Sequence, residues 1–101
     1  MKGLNLFVRL LLPAIVSVAA LIPTNLSAQC LSGNCQSGTG KYRYSSGSVY
    51  TGQFSNGQRQ GNGKLVYSNN NVYEGQFKYN RMNGEGTMVY SNGDKYVGNW
   101  V

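Results

Sequence analysis

Hydrophobic and polar positions alternate in short bursts along the second half of the chain, and the bursts recur. Val49-Tyr50-Thr51-Gly52-Gln53-Phe54 returns as Val72-Tyr73-Glu74-Gly75-Gln76-Phe77, and again as Lys95-Tyr96-Val97-Gly98-Asn99-Trp100. Residues two apart share a side, as in a half-buried strand. Tyr50, Gly52 and Phe54 therefore face one way, and Thr51 and Gln53 the other. A second kind of burst, Gly63-Lys64-Leu65-Val66-Tyr67, puts Gly63, Leu65 and Tyr67 together. Gly38-Thr39-Gly40, Gly61-Asn62-Gly63 and Gly84-Glu85-Gly86 keep the same 23-residue step, as do Tyr44, Tyr67 and Tyr90. A fixed period with position-specific Tyr, Gly and aromatic residues marks a repeat array, whose units bury their apolar faces by stacking on each other.

The pattern predicts strands near 40–44, 49–54, 63–67, 72–77, 86–90 and 95–100. Tight polar links join some of them: Ser45 to Ser48, Ser68 to Asn71 and Ser91 to Asp94. Asn, Gly and Asp tolerate the positive φ that such turns require. Longer links, Ser55 to Asn62 and Lys78 to Glu85, are expected to return the chain to the next hairpin. No segment after Gln29 carries an apolar period of 3.6, and its Gly and Asn density disfavours helix.

The expected product is a meander of antiparallel hairpins with one aromatic face. Tyr50, Phe54, Tyr67, Tyr73, Phe77, Tyr90, Tyr96 and Trp100 line it, with Leu65 and Met88 filling. This row reads first as the core, since such rings bury large area in any small β protein. A strand glycine weakens its strand unless something approaches closely. A neighbouring ring is therefore expected over Gly52, Gly75 or Gly98. The opposite face, with Thr51, Gln53, Lys64, Glu74, Gln76, Lys95 and Asn99, reads as wet.

The first part of the chain is different. Lys2 and Arg9 precede an almost wholly apolar run from Leu10 to Ile22, followed by a short polar stretch to Gln29. This is the layout of a secretory signal peptide, with cleavage expected after Ala28. The apolar run is short for a spanning helix, which needs about 20 residues. A retained anchor is the rival reading, and acylation of Cys30 a further one, disfavoured by Gln29 before it. Cys30 and Cys35 are the only cysteines. In an exported chain they are expected to pair. By the repeat offset, Cys30 falls where Gln53, Gln76 and Asn99 sit, so the disulfide would staple a degenerate first unit. The expected division is a signal peptide over 1–28, a stapled cap over 29–37 and an array over 38–101 of about two and a half units. The sequence stops one residue past the last strand, leaving an open edge at 95–100 for a second copy or another protein, unless the chain is truncated.

After cleavage seven Lys and Arg residues face three acids, a net charge of +4. Solubility accounts for it most simply. Attraction to anionic lipid, glycan or cell-wall polymer is the functional alternative, with Lys64, Lys78 and Arg81 as candidate contacts. The basic residues form no run, and nucleic acid is a poor partner for an exported chain. Catalysis lacks its inventory. There is no His for general base work. Glu74, Glu85 and Asp94 form no paired-carboxylate spacing, and the cysteines have no His partner. Gly61-Asn62-Gly63 has no following helix or Gly-Lys-Ser/Thr, so it is not a phosphate loop. Two thiols without His do not complete a zinc site. No cofactor is expected.

These residues resemble the MORN (membrane occupation and recognition nexus) repeat, whose unit reads Tyr-x-Gly-x-Trp/Phe, a loop with Asn-Gly, then Gly-x-Gly and a Tyr. Tyr50, Gly52, Phe54, Asn56-Gly57, Gly61, Gly63 and Tyr67 match one unit. Tyr73, Gly75, Phe77, Gly84, Gly86 and Tyr90 match the next, and Tyr96, Gly98 and Trp100 open a third. Phe54 and Phe77 stand for the commoner Trp, Tyr79-Asn80 loses the loop glycine, and Asn70 replaces the turn glycine seen as Gly47 and Gly93. The resemblance implies an all-β fold: a single-layer antiparallel β-hairpin solenoid of MORN type, here preceded by an N-terminal apolar signal-peptide helix. It also implies protein–protein contact, membrane apposition or anionic phospholipid binding.

The expected function is a non-enzymatic exported module for protein–protein interaction or scaffolding at the cell envelope, whether periplasmic, envelope-associated or secreted. Binding of anionic phospholipid or cell-wall polymer is the alternative. A third reading, sugar stacking on the aromatic row, requires that row to be open to solvent, so the exposure of Tyr73 and Trp100 discriminates.

Overall fold

The structure, a computed structural model, describes residues 27–101. The signal-peptide helix expected over 1–28 lies outside the described residues apart from its last two positions. Seven strands follow in order: β1 (Gln29–Gly33), β2 (Gly38–Arg43), β3 (Val49–Ser55), β4 (Gln58–Val66), β5 (Val72–Lys78), β6 (Arg81–Val89) and β7 (Lys95–Trp100). Each pairs antiparallel with the next in sequence, giving one seven-stranded sheet in the order β1-β2-β3-β4-β5-β6-β7. All six expected strands are present. Such a meander needs only short connections.

The links differ from the expectation in one respect. β4 and β6 begin five residues earlier than the alternation suggested, so the longer links shrink to two-residue turns. Asn56 (φ 52°) with Gly57 (φ 74°), and Tyr79 (φ 51°) with Asn80 (φ 68°), take the double positive φ that matches strand twist in a hairpin. The strand extension is accommodated by a bulge. Gly52 faces Gly63 and Phe54 faces Arg59, leaving Gln53 opposite three residues that include Gly61 at φ 76°. The next unit repeats this, with Gly75 facing Gly86 and Phe77 facing Met82. At the other end of the sheet, the amide of Gly47 donates to Tyr44 O, Asn70 to Tyr67 O and Gly93 to Tyr90 O. Asn70 adopts φ 73° and so does the work of the absent glycine.

The sheet register lines up one glycine per strand. Gly33 faces Gly40, Gly40 faces Gly52, and the line runs through Gly63, Gly75 and Gly86 to Gly98. The aromatic rings cover this row: as expected, the Tyr96 ring lies against Gly98, but Gly52 and Gly75 have no ring over them. The ring of Tyr50 lies over Gly63 and that of Tyr73 over Gly86, while only their hydroxyls approach Gly52 and Gly75. Consecutive hairpin tips also dock on each other. The Gly57 amide donates to Gln36 O at 2.9 Å, and 23 residues on the Asn80 amide donates to Arg59 O at 3.1 Å.

The first unit departs from the repeat. By the 23-residue offset Gln29 should face Gly40; instead Gln29 faces Arg43, Cys30 faces Tyr42 and Gly33 faces Gly40. Cys30 is therefore not a structural counterpart of Gln53. The disulfide does form, with Cα atoms 6.0 Å apart. It folds the 34–37 loop back, and buried Cys35 together with Asn34 covers Gly40. That loop takes the place a tyrosine ring fills at Gly63 and Gly86.

Candidate functional site

The aromatic face is a chain of edge-on rings. Phe54 meets Tyr50 at 5.0 Å between centroids, Tyr50 meets Phe77 at 5.1 Å, Phe77 meets Tyr73 at 5.0 Å and Tyr73 meets Trp100 at 5.4 Å. Interplanar angles of 83° to 87° run along it, the edge-to-face geometry favoured by ring quadrupoles. Tyr50 and Tyr73 are fully buried, and Phe54, Leu65, Phe77 and Met88 are buried beside them. The signature residues Tyr50, Phe54, Tyr73 and Phe77 are thus brought together as core. Tyr67 and Trp100 pack against its margin, while Tyr90 and Tyr96 are exposed. Since Tyr73 is closed to solvent, the row as a whole is not a stacking platform for sugars.

Each buried hydroxyl is satisfied. Tyr50 donates to Gln53 O at 2.8 Å and Tyr73 to Gln76 O at 2.8 Å. The Gln side chains close the bulges: Gln53 Oε1 accepts from the Asn62 amide and Gln76 Oε1 from the Glu85 amide. Burial pushes the Tyr50 phenol up to about 12, with the Arg59 guanidinium pulling partly back. Burial likewise raises Tyr67 and Tyr73.

One cation sits on this face. The Arg59 guanidinium lies over the rings of Tyr44 at 5.1 Å, Phe77 at 5.6 Å and Tyr50 at 5.9 Å. It also donates to Asn80 O, and the Arg59 amide donates to Asn80 Oδ1 at 2.9 Å. Sequence reasoning did not single out Arg59. Its position in the repeat, occupied by Gln36 and Met82 in the neighbouring units, carries no constant residue to flag it.

The second face is built differently. Val49, Val66, Val72 and Val89 face one another in sequence across β3 to β6, forming an apolar stripe between Arg43 and Lys95. Beside it runs a polar row in which Thr51 faces Lys64, Lys64 faces Glu74 and Glu74 faces Thr87. Where side chains give way to the glycine row the surface is hollow. One depression of about 660 Å³ is lined by Thr51, Asn62, Lys64 and Glu74 among others, and one of about 400 Å³ by Glu74, Glu85, Thr87, Val97 and Asn99. The valine stripe was not anticipated; its signal was plain alternation, overlooked because the same strands carried the conspicuous rings.

The three candidate anionic-surface residues do not converge. Lys64 lies on the second face opposite Glu74. Lys78 and Arg81 face each other at the tip of the β5–β6 hairpin; Tyr79 between them is 66% exposed, with Lys78 Nζ 5.7 Å from its ring centroid. Among the described residues no group of three or more His, Cys, Asp or Glu could hold a metal ion.

No curated protein matches the chain. The sequence profile of the MORN repeat matches residues 36–49, 50–72 and 73–95, more than half of the chain. Two of these boundaries fall at Tyr50 and Tyr73, the residues whose rings cover the next strand's glycine. MORN repeats are, as a rule, non-catalytic modules that bind proteins or membranes. Profile, 23-residue spacing and hairpin sheet agree, and the chain belongs to the MORN repeat family.

Proposed function

We propose that this protein is an exported, non-enzymatic module that binds another protein at the cell envelope through the second face of its sheet. The observation that supports this is the division of labour between the faces. The middle of the aromatic face is consumed by packing, whereas the second face holds a valine stripe, a mixed-charge row and shallow depressions. An apolar core with a polar rim is what a protein interface requires. Export rests on the N-terminal apolar segment and the cysteine pair. The outer edge of β7, which no other described strand covers, offers a backbone mode of contact by strand addition to a second copy or another protein.

A photo-crosslinking amino acid placed at Glu74 or Thr87 in the full-length protein tests the reading. A discrete protein adduct at these positions, absent at Ser91 and abolished by Val72→Arg, is the expected result. Adducts at all three positions alike would defeat it.

A second reading has its own support. Tyr79 is a bulky residue at φ 51°, and Lys78 opposite Arg81 is a like-charge pair, two locally unfavourable choices at one tip. An anionic surface would relieve the repulsion and accept the exposed ring. Co-sedimentation with anionic vesicles that is lost in Lys78→Gln/Arg81→Gln and falls with salt is expected on that reading; binding indifferent to both rejects it.

A further inference from the structure

The margin of the aromatic face holds hollows that the core packing leaves open, and Arg59 lines two of them. Among the three hairpin tips lies a hollow of about 270 Å³, walled by Tyr42, Tyr44, Phe54 and Arg59 and rimmed by Gln36 and Asn80. Tyr42 and Tyr44 are only half-buried and lie 4.8 Å apart, so they present ring surface to the hollow. Arg59 is held by three rings and by the carbonyl of Asn80. Its Nε, like that of Arg43, is covered by the protein with no acceptor among the described residues, while the side chain as a whole is half-buried. A buried guanidinium donor without an acceptor carries a desolvation penalty. None of the acids offsets it there. Glu74 and Glu85 belong to the second face by strand alternation, and Asp94 sits in the turn at the far end of the β6–β7 pair.

From this geometry we infer that the hollow binds an acidic sugar, a uronate unit of a polysaccharide, with its carboxylate on Arg59 and its ring against Tyr42 and Tyr44. Aromatic walls suit the apolar side of a pyranose, the polar rim suits its hydroxyls, and a fixed guanidinium suits a carboxylate. Because Arg59 is already immobilised by its rings, little side-chain freedom is lost on binding. The site lies on the opposite face from the protein-binding surface, and neither reading depends on the other.

Calorimetry of the full-length chain with oligogalacturonate, a neutral oligosaccharide of equal length and anionic phospholipid vesicles tests it. Oligogalacturonate binds, and the neutral oligomer binds about tenfold or more weakly, as expected for a charge-assisted contact. Arg59→Gln and Arg59→Met place at this position the residues its repeat equivalents already carry, so both variants keep the fold; each loses oligogalacturonate binding about tenfold or more. Tyr44→Ala also weakens it, whereas Lys64→Gln on the second face leaves it unchanged. Absence of oligogalacturonate binding, undiminished binding in folded Arg59→Gln and Arg59→Met, or binding to vesicles alone overturns the inference. Photo-crosslinking at Glu74 is read separately, so either result can fail without the other.

Discussion

The ring of Tyr50 occupies the space that a side chain at Gly63 would need. Tyr73 stands in the same relation to Gly86. The second glycine of Gly61-Asn62-Gly63 and of Gly84-Glu85-Gly86 is thus a steric requirement of the tyrosine one strand earlier. Gly63→Ala or Gly86→Ala must displace a fully buried ring and its hydroxyl bond. Urea unfolding is expected to show a loss of about 2–4 kcal/mol, in the range of overpacked cores and broken buried bonds. Gly93→Ala is the contrast: nothing lies within 4 Å of its Cβ position, so only the penalty for φ 98°, about 1–2 kcal/mol, is expected.

Tyr73→Phe keeps the packing and removes one bond, the 2.8 Å donation to Gln76 O. A loss of about 1 kcal/mol is expected, measured by the same unfolding midpoint. Tyr73→Ala removes the ring that joins Phe77 to Trp100 and should lose about 3–5 kcal/mol.

Alkaline pH should unfold the protein through its buried phenols. Tyr50 is held protonated to about 12 in the folded state against an ordinary value near 10, and Tyr67 and Tyr73 are raised too. The folded state therefore retains protons that the unfolded state releases. Stability from this source is complete below about pH 10 and lost as pH rises from there toward the folded value. The phenolate absorbance of Tyr50 should accordingly appear only with unfolding; its appearance before the loss of sheet circular dichroism would contradict this.

Reduction of Cys30–Cys35 should act locally. The closed loop is short, with a sequence separation of 5, so the expected loss is about 2 kcal/mol. Because the 34–37 loop covers Gly40, amides of β1 and β2 should exchange faster after reduction while those of β5 and β6 keep their protection. Hydrogen exchange followed strand by strand checks it.

Tyr79→Asn should stabilise. It copies Asn56 into the same turn position, where φ is 51°, and keeps the backbone donation to Gln60 Oε1. A gain of about 1 kcal/mol is expected from relief of the positive-φ strain, read as a shift in thermal midpoint.

Much of the fold was legible because its instructions are local. Alternation located six strands, and the step from Tyr50 to Tyr73 to Tyr96 put them in one array. The turns were only partly legible. Asn56-Gly57 is a strong two-residue hairpin signal. Tyr79-Asn80 is not, because a bulky residue at positive φ is imposed by docking on Arg59 and Gln60 rather than by its own preference. The register of β1 was hidden for a similar reason: a disulfide and a buried Cys35, with no repeat signature, decide it. The hollow beside Arg59 was illegible, since its walls come from three hairpin tips and strands that only the folded register brings together.

The edge-on ring contacts have a direction. Tyr50 is met by Phe77 and Tyr73 by Trp100, in each case an aromatic residue 27 positions later. Each of the two fully buried tyrosines is thus roofed by the unit that follows. Truncation of Trp100 should uncover Tyr73 and leave Tyr50 dry, making the array a one-way row of shingles.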